Sequence, residues 1–303
     1  MPRCCASSKP WDCGPKTSMH TIVDELRQGK RLDSLLVELM PRLSRAFIQK
    51  LCDTGRVTVS GAPAKPGYKV RLGDQIDIAY DIAELDQIPT IDLPILYEDD
   101  DCVVINKPAG LLTHAQSSFN PEATVASFLR QRAADLDGER AGVVHRLDRA
   151  TSGVLIGAKN QAALSWLQKQ FAQRKVKKTY LAIVEGAPRE REAIIDMPIE
   201  RNPRAPATFR VGPQGKIAST HYKVLAETEG YSLLELKPET GRTHQLRVHL
   251  AKIGHPIVGD PLYGSGTFGD RLYLHAQSLE ITLPNRERKT FTAPTPPEFK
   301  ERM

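Results

Sequence analysis

The sequence predicts an α+β protein in two parts, a small α/β unit followed by a larger domain built on a mixed or antiparallel sheet. Three observations carry that prediction. Two helical patterns and three short strand patterns fill residues 31–80. An acidic, proline-bearing stretch without period, "DIAELDQIPTIDLP", follows them and reads as a linker. Beyond it, strand-like runs mostly neighbour one another, with helical runs interspersed rather than strictly alternating. A chain of 303 residues is long enough for one or two domains with a real core.

Taken in order, the leader "MPRCCASSKPWDCGPKTSM" lacks an apolar segment and is therefore no secretory signal, and it holds too few arginines for a transit peptide. Residues 1–20 are expected to be a disordered leader, and Met19 would itself be a sensible start. In "RLDSLLVELM", Leu32, Leu35, Leu36 and Leu39 fall at helical spacing, and Pro41 stops the helix. Ser44 reads as the N-cap of "RAFIQKLCDTG", which turns Phe47, Ile48 and Leu51 inward and ends at Gly55. The strands "RVTVS", "YKVRL" and "QIDIAY" follow, the last two joined through Gly73-Asp74. These boundaries give a small domain over 21–82, a linker over 83–94 and a large domain over 95–303.

In the large domain, "ILYEDDDCVVINKPAG" reads as two strands around an acidic turn. "TVASFLRQRAADL" and "QAALSWLQKQFAQR" carry helical period, and "KKTYLAIVEG" reads as a strand. "HYKVLAETEG" and "YSLLELKPETG" make a hairpin, "THQLRVHLAKIG" a helix stopped at Gly254, and "LYLHAQSLEITL" a final strand.

A composition of 40% hydrophobic and 26% charged residues is that of a soluble globular protein. The formal charge of +6 favours an anionic partner, nucleic acid first. Five scattered cysteines without a C-x-x-C pair fit neither a disulfide framework nor a zinc site. No apolar run approaches the ~18 residues of a membrane span, so a cytoplasmic protein without membrane contact is expected. His244 and His249 are five apart and share no helix face, and no H-E-x-x-H occurs. His145, His221, His255 and His275 stand alone, as structural histidines do, so no metal is expected. There is no G-x-S-x-G, and the glycines of "GDPLYGSGTFGD" lack the G-K-[ST] of a nucleotide loop.

What remains is "HRLDRATSG", in which Asp148 stands between Arg146 and Arg149. A surface ion pair is the ordinary explanation of such a triplet. A nucleophilic carboxylate needs the same company, because a nearby arginine keeps it charged and can grip it bidentately. Arg146, Arg149, Arg242 and Arg247 are all candidates, and spacing does not choose among them. A second basic group, Arg42, Arg45, Lys50 and Arg56, lies on or beside the second helix, where it is either a solvated face or a surface for a phosphate backbone. The run "RKVKK" at 174–178 has the same two readings.

Residues 31–80, through "RLDSLL", "SRAFIQKLCDTGRVTVSG" and "KVRLGDQIDI", resemble the S4 RNA-binding domain. "HRLDRATSGVLIGAKN" resembles the signature of the RluA family of pseudouridine synthases. "VINKPAGLLTH", "KKTYLAIVEG", "GRTHQLRVHLAKIGHPIVGDPLYG" and "LYLHAQSLEI" follow that family's order over about residues 95–285. The resemblance implies an RNA pseudouridine synthase with an S4-like domain in front, the arrangement of enzymes acting on large-subunit (23S) ribosomal RNA. It implies Asp148 as nucleophile, Tyr180 stacking on the target base, and Arg247 paired with the aspartate. It further implies that Leu250 lines the uracil pocket and that Arg146 fills the gap left by a flipped uridine, with His145 beside the substrate. Ala150 stands where members often carry Asp, which puts a secondary hydrogen bond in doubt. The implied isomerisation takes in no electrons and no groups, so no cofactor is required. The partner would be ribosomal RNA or a pre-ribosomal particle, met by a monomer. A synthase acting on transfer RNA, or a non-catalytic RNA-binding or ribosome-assembly factor, are the alternatives.

Overall fold

The computed structural model describes residues 16–40, 43, 45–81, 91–114, 122–133, 136, 142–265 and 271–303. The chain forms two compact units, Met1–Pro89 with Ala115–Glu122, and Thr90–His114 with Ala123–Met303. No helix among the described residues is long and apolar enough to cross a membrane.

In the first unit, helices α1 (Leu32–Leu39) and α2 (Arg45–Asp53) bury one stripe each, because Leu32, Leu35, Leu36, Phe47, Ile48 and Leu51 recur at helical spacing. Gly55, at φ +71°, closes α2 as expected. Pro41, Arg42 and Ser44 lie outside the described residues. The sheet is antiparallel, with order β1-β4-β2-β3, from β1 (Lys16–Ile22), β2 (Val57–Val59), β3 (Ala62–Pro63) and β4 (Gln75–Asp81).

Two features of this sheet depart from the sequence reading. β1 pairs along its whole length with β4, from Lys16↔Asp81 to Ile22↔Gln75, so residues 16–20, read as leader, belong to the sheet. Met19 packs on the core and anchors them. "YKVRL" is not a strand. Val70 is buried, but its N–H donates to the Lys30 carbonyl and its C=O accepts from Gly29 N–H, so that backbone is already engaged elsewhere.

Asp33 of α1 is completely buried and takes bonds from Arg31 (3.1 and 3.0 Å), Arg45 (3.1 and 3.0 Å) and Gln49 (3.2 Å). The Arg31 bonds hold its carboxyl well below the usual carboxylate range against the opposing effect of burial. One buried acid thus ties the two helices together and keeps two half-exposed guanidinium groups in place.

The second unit is built on a mixed sheet. Its strands are β5 (Ile95–Glu98), β6 (Cys102–Lys107), β7 (Ser152–Ala158), β8 (Lys177–Glu185), β9 (Glu192–Asp196), β12 (Ser219–Thr228), β13 (Tyr231–Pro238), β14 (Leu274–Thr282) and β15 (Arg288–Thr292). The order is β5-β6-β7-β14-β8-β13-β12-β9, with β15 on β14. β7 and β14 run parallel and the other pairs antiparallel. β10 (Ile199–Arg201) and β11 (Phe209–Val211) form a separate hairpin. The helices are α3 (Val125–Arg130), α4 (Gln161–Ala172), α5 (Gln245–Lys252) and α6 (Pro297–Arg302). Thr124 and Ser127 make a reciprocal capping box on α3, and Asn160 caps α4.

β7 is buried at every residue and therefore shows no alternation, as expected of a strand covered on both faces. Its first residues align His275↔Ser152 and Ala276↔Gly153 across the parallel pair. Gly153 sits at φ +114°, and a Cβ there would run into the Ala276 carbonyl. The glycine that closes "HRLDRATSG" is therefore what lets β7 enter beside β14. Gly153→Ala is expected to destabilise the protein by more than about 1 kcal/mol, read as a lowered midpoint of urea unfolding.

Candidate active site

A cleft of about 540 Å³ opens in the second unit, lined by residues 145–148 and 151, the end of α4, Lys178 and Tyr180 of β8, the segment 238–244 and the start of α5. Asp148 lies in it with its side chain one-fifth exposed.

The loop carrying Asp148 is clamped residue by residue. Thr113 Oγ1 donates to the Leu147 carbonyl (2.8 Å) and accepts from Leu147 N–H (3.2 Å). The Asp148 carbonyl accepts from Thr151 N–H at 3.0 Å. The Arg149 carbonyl accepts from Gly110 N–H (2.8 Å) and from Lys107 Nζ (3.2 Å). Lys107 is completely buried, and its Nζ also donates to the carbonyls of Pro108 and Leu111, each at 2.8 Å. Burial pushes its pKa down to about 7 while Asp148 pulls it back up. Three converging carbonyl oxygens are the partner set of the charged ammonium. "VINKPAGLLTH" therefore acts as the cradle of "HRLD".

Across the cleft, Arg247 of α5 is buried and gives Nε and one terminal nitrogen to Asp260, both at 2.7 Å. Its other terminal nitrogen lies 3.6 Å from Asp148 Oδ2. Burial works against the guanidinium charge, but the Asp260 bonds, with Asp148 behind them, raise its pKa. The expected pairing of Arg247 with Asp148 thus takes a different form: the bidentate partner is Asp260, and Asp148 receives the remaining corner.

The other expected residues divide. Tyr180 lines the cleft on β8, and burial followed by the Asp148 charge pushes its hydroxyl pKa up. His145 lines it too, stacked on Phe171 at 4.5 Å and accepting from Ile156 N–H at Nε2. Burial holds His145 down at about 3, so it is neutral. Arg146 is exposed at the cleft. Leu250 is fully buried in the core and is absent from the lining; Leu246, one turn earlier on the same helix face, lines the cleft instead. Ala150 packs against the same core. Arg45 is tied to Asp33, Lys50 is exposed, and Arg56 is half-buried. Within "RKVKK", Lys177 pairs with Glu280 at 3.4 Å. Lys178 turns into the cleft, donates to the Thr240 carbonyl at 3.2 Å and is pushed down to about 8 by burial.

Sequence reading missed Lys107, His244, Asp260 and Tyr263, and weighed Lys178 only as one of the basic residues of "RKVKK" that could hold a phosphate backbone. Asp260 and Tyr263 lie in "GDPLYG", where the glycines drew attention and the buried acid between Gly259 and Pro261 was the signal. His244 was weighed only as a metal ligand, and among the described residues no three His, Cys, Asp or Glu side chains form a metal-holding group.

Residues 101–252 match the family model described as RNA pseudouridylate synthase, and residues 30–76 match the S4 domain. The chain is 41% identical to the ribosomal large subunit pseudouridine synthase D of Nitrosomonas europaea, over 88% of this chain and 80% of that one. It is 35% identical to the protein of the same name in Xanthomonas campestris, over 98% and 94% respectively. Among solved structures, it resembles human RNA pseudouridylate synthase domain containing 1 with a TM-score of 0.57 and 33% identity, over 68% of this chain and 85% of that one.

Lys107→Met would leave the Pro108 and Leu111 carbonyls without their shared donor and release the Arg149 side of the loop. A loss of at least about 2 kcal/mol in urea unfolding is expected, together with slower turnover.

Proposed function

Because the chain belongs to the RNA pseudouridylate synthase family, we propose that it isomerises specific uridines of large-subunit (23S) ribosomal RNA with Asp148 as nucleophile. The observation that carries this reading is the position of Asp148. Of the two acids lining the cleft, Asp148 and Glu239, it is Asp148 that faces an arginine already oriented by a further acid, Asp260, and the same cleft holds Tyr180. The named relatives that act on the large ribosomal subunit and the S4 domain in front of the catalytic unit support the choice of RNA.

The reaction breaks the N1–C1′ bond, turns the uracil and joins C5 to C1′, with the C5 proton lost and a proton gained at N1 so that the product is an isomer of the substrate. To reach Asp148 the uridine must leave its stack, at a cost of a few kcal/mol. Tyr180 on the cleft wall offsets part of that cost by stacking on the base, at ~1–3 kcal/mol. Arg146, exposed at the cleft, is placed to occupy the vacated space in the RNA. Arg247 places its positive charge 3.6 Å from the carboxylate without fastening it. Leu246 supplies an apolar wall for the uracil. Lys178 adds a half-buried amine to the same cleft, suited to an anionic or carbonyl group of the nucleotide.

Mapping pseudouridine by carbodiimide adducts and primer extension tests the reading directly. Wild-type protein is expected to modify discrete large-subunit uridines that Asp148→Asn leaves untouched. Modification confined to transfer RNA would replace the substrate but keep the chemistry, and modification by the Asn variant would remove Asp148 from its role. For the first unit, Lys50→Glu and Arg56→Glu are expected to weaken RNA binding and each to lower the salt slope by about one, measured by filter binding at several salt concentrations.

A further inference from the structure

His244 breaks two local rules at once. It occupies the N-cap of α5 without making a side-chain cap bond, where Ser, Thr, Asp or Asn is usual. Its backbone is left-handed at φ 56°, a conformation that costs a non-glycine residue about 1 kcal/mol or more. The side chain that could have capped the helix goes elsewhere. Nδ1 is 2.8 Å from Tyr263 Oη, and the imidazole is met edge-on by the rings of Phe209 and Tyr263, each with centroids 5.6 Å away.

The hydrogen bonds assign the tautomer. Phe209 N–H donates to Tyr263 Oη at 2.8 Å, and because His244 Nε2 faces a carboxylate that only accepts, the ring proton belongs on Nε2 and Nδ1 takes the Tyr263 hydroxyl proton. Nε2 faces Asp148 Oδ2 at 3.9 Å. Burial lowers the His244 pKa, with Asp148 and Asp260 opposing and Arg247 and Arg146 adding, so the neutral ring is the form to be oriented. The Arg247 contact reaches the same oxygen, Oδ2.

We propose that His244 is a positioning residue for the reaction: its Nε2–H, aimed by Tyr263, joins Arg247 in holding Asp148 Oδ2, so that Oδ1 is the oxygen presented to the nucleotide. At 3.9 Å the contact is longer than a hydrogen bond; it closes when a bound nucleotide displaces water and the carboxylate turns. Through Phe209 on β11 and Tyr263 on the loop after Asp260, two further segments set the aim of one carboxylate. The inference rests on Asp148 being the nucleophile.

The test has a spectroscopic and a kinetic arm. In protein labelled with ¹⁵N-histidine, the long-range proton–nitrogen pattern of His244, assigned by its absence in His244→Gln, is expected to show protonated Nε2 and bare Nδ1. In single-turnover assays on an RNA fragment carrying the mapped uridine, His244→Ala is expected to lose on the order of 100-fold in rate at unchanged RNA affinity. His244→Gln, whose amide N–H falls near the Nε2 position, is expected to recover most of that loss, with Tyr263→Phe in between. A proton on Nδ1 in the wild type, or an unchanged rate in His244→Ala, overturns the proposal, and the wild-type spectrum decides even where the Ala variant fails to fold. Asp148→Asn run in parallel separates the two readings. If it is inactive while the His244 variants are normal, only the positioning role falls; if it turns over normally, the nucleophile assignment falls and the positioning role falls with it.

Discussion

The ion pair between Arg247 and Asp260 is the interaction on which the rest of the site depends. Both side chains are out of solvent, and removing two charges from water costs several kcal/mol per ion even after relaxation. That cost is tolerable only when every donor and acceptor is matched. Here Asp260 receives two N–H groups from Arg247 at 2.7 Å and two backbone N–H groups, from Leu262 at 2.9 Å and Tyr263 at 3.1 Å. The pair therefore ties the first turn of α5 to the loop that follows that helix. Tyr263 follows from the same acid, under the Arg247 guanidinium at 5.0 Å.

Around that pair the sheet brings distant segments together. Asp148 precedes β7, Tyr180 lies on β8, and β14 stands between them, parallel to one and antiparallel to the other. The narrow parallel contact at Gly153 sets how closely the Asp148 loop approaches β14, and Lys107, at the end of β6, holds that loop from the far side. Each restraint acts on the backbone next to Asp148, and none occupies the carboxylate. The basic groups nearest that carboxylate, Arg247 at 3.6 Å and His244 at 3.9 Å, both face Oδ2.

Much of this was legible in the sequence, for identifiable reasons. Leu32, Leu35 and Leu36 announced α1 because a helix with one buried stripe writes its period into the chain. The motifs around Asp148, Tyr180 and Arg247 were legible only through their resemblance to a family, because residue types and spacing alone left an ordinary ion pair and four candidate arginines open. β7 was harder, since a strand buried on both faces has no alternation to read. β1 was missed because cysteines and polar residues of the leader obscured the alternation that places Met19 on the core. Leu250 was assigned to the cleft although it lies one turn too deep, which depends on where α5 begins. Asp260 could not be tied to Arg247 from sequence, because a pair thirteen positions apart around a loop leaves no periodic trace.

The division of labour between the two acids explains why the chain needs both. A guanidinium that gripped Asp148 in a bidentate fork would stabilise its charge and also lock both oxygens in place. Arg247 instead spends that fork on Asp260, whose side chain has no exposed surface. What it offers Asp148 is a single nitrogen at 3.6 Å, close enough for a strong charge interaction in a half-desolvated cleft and too long to fasten the carboxylate. The aspartate is thereby kept beside a positive charge and remains able to turn. That freedom is what the proposed role of Asp148 as nucleophile requires, since the carboxylate would have to approach its electrophile.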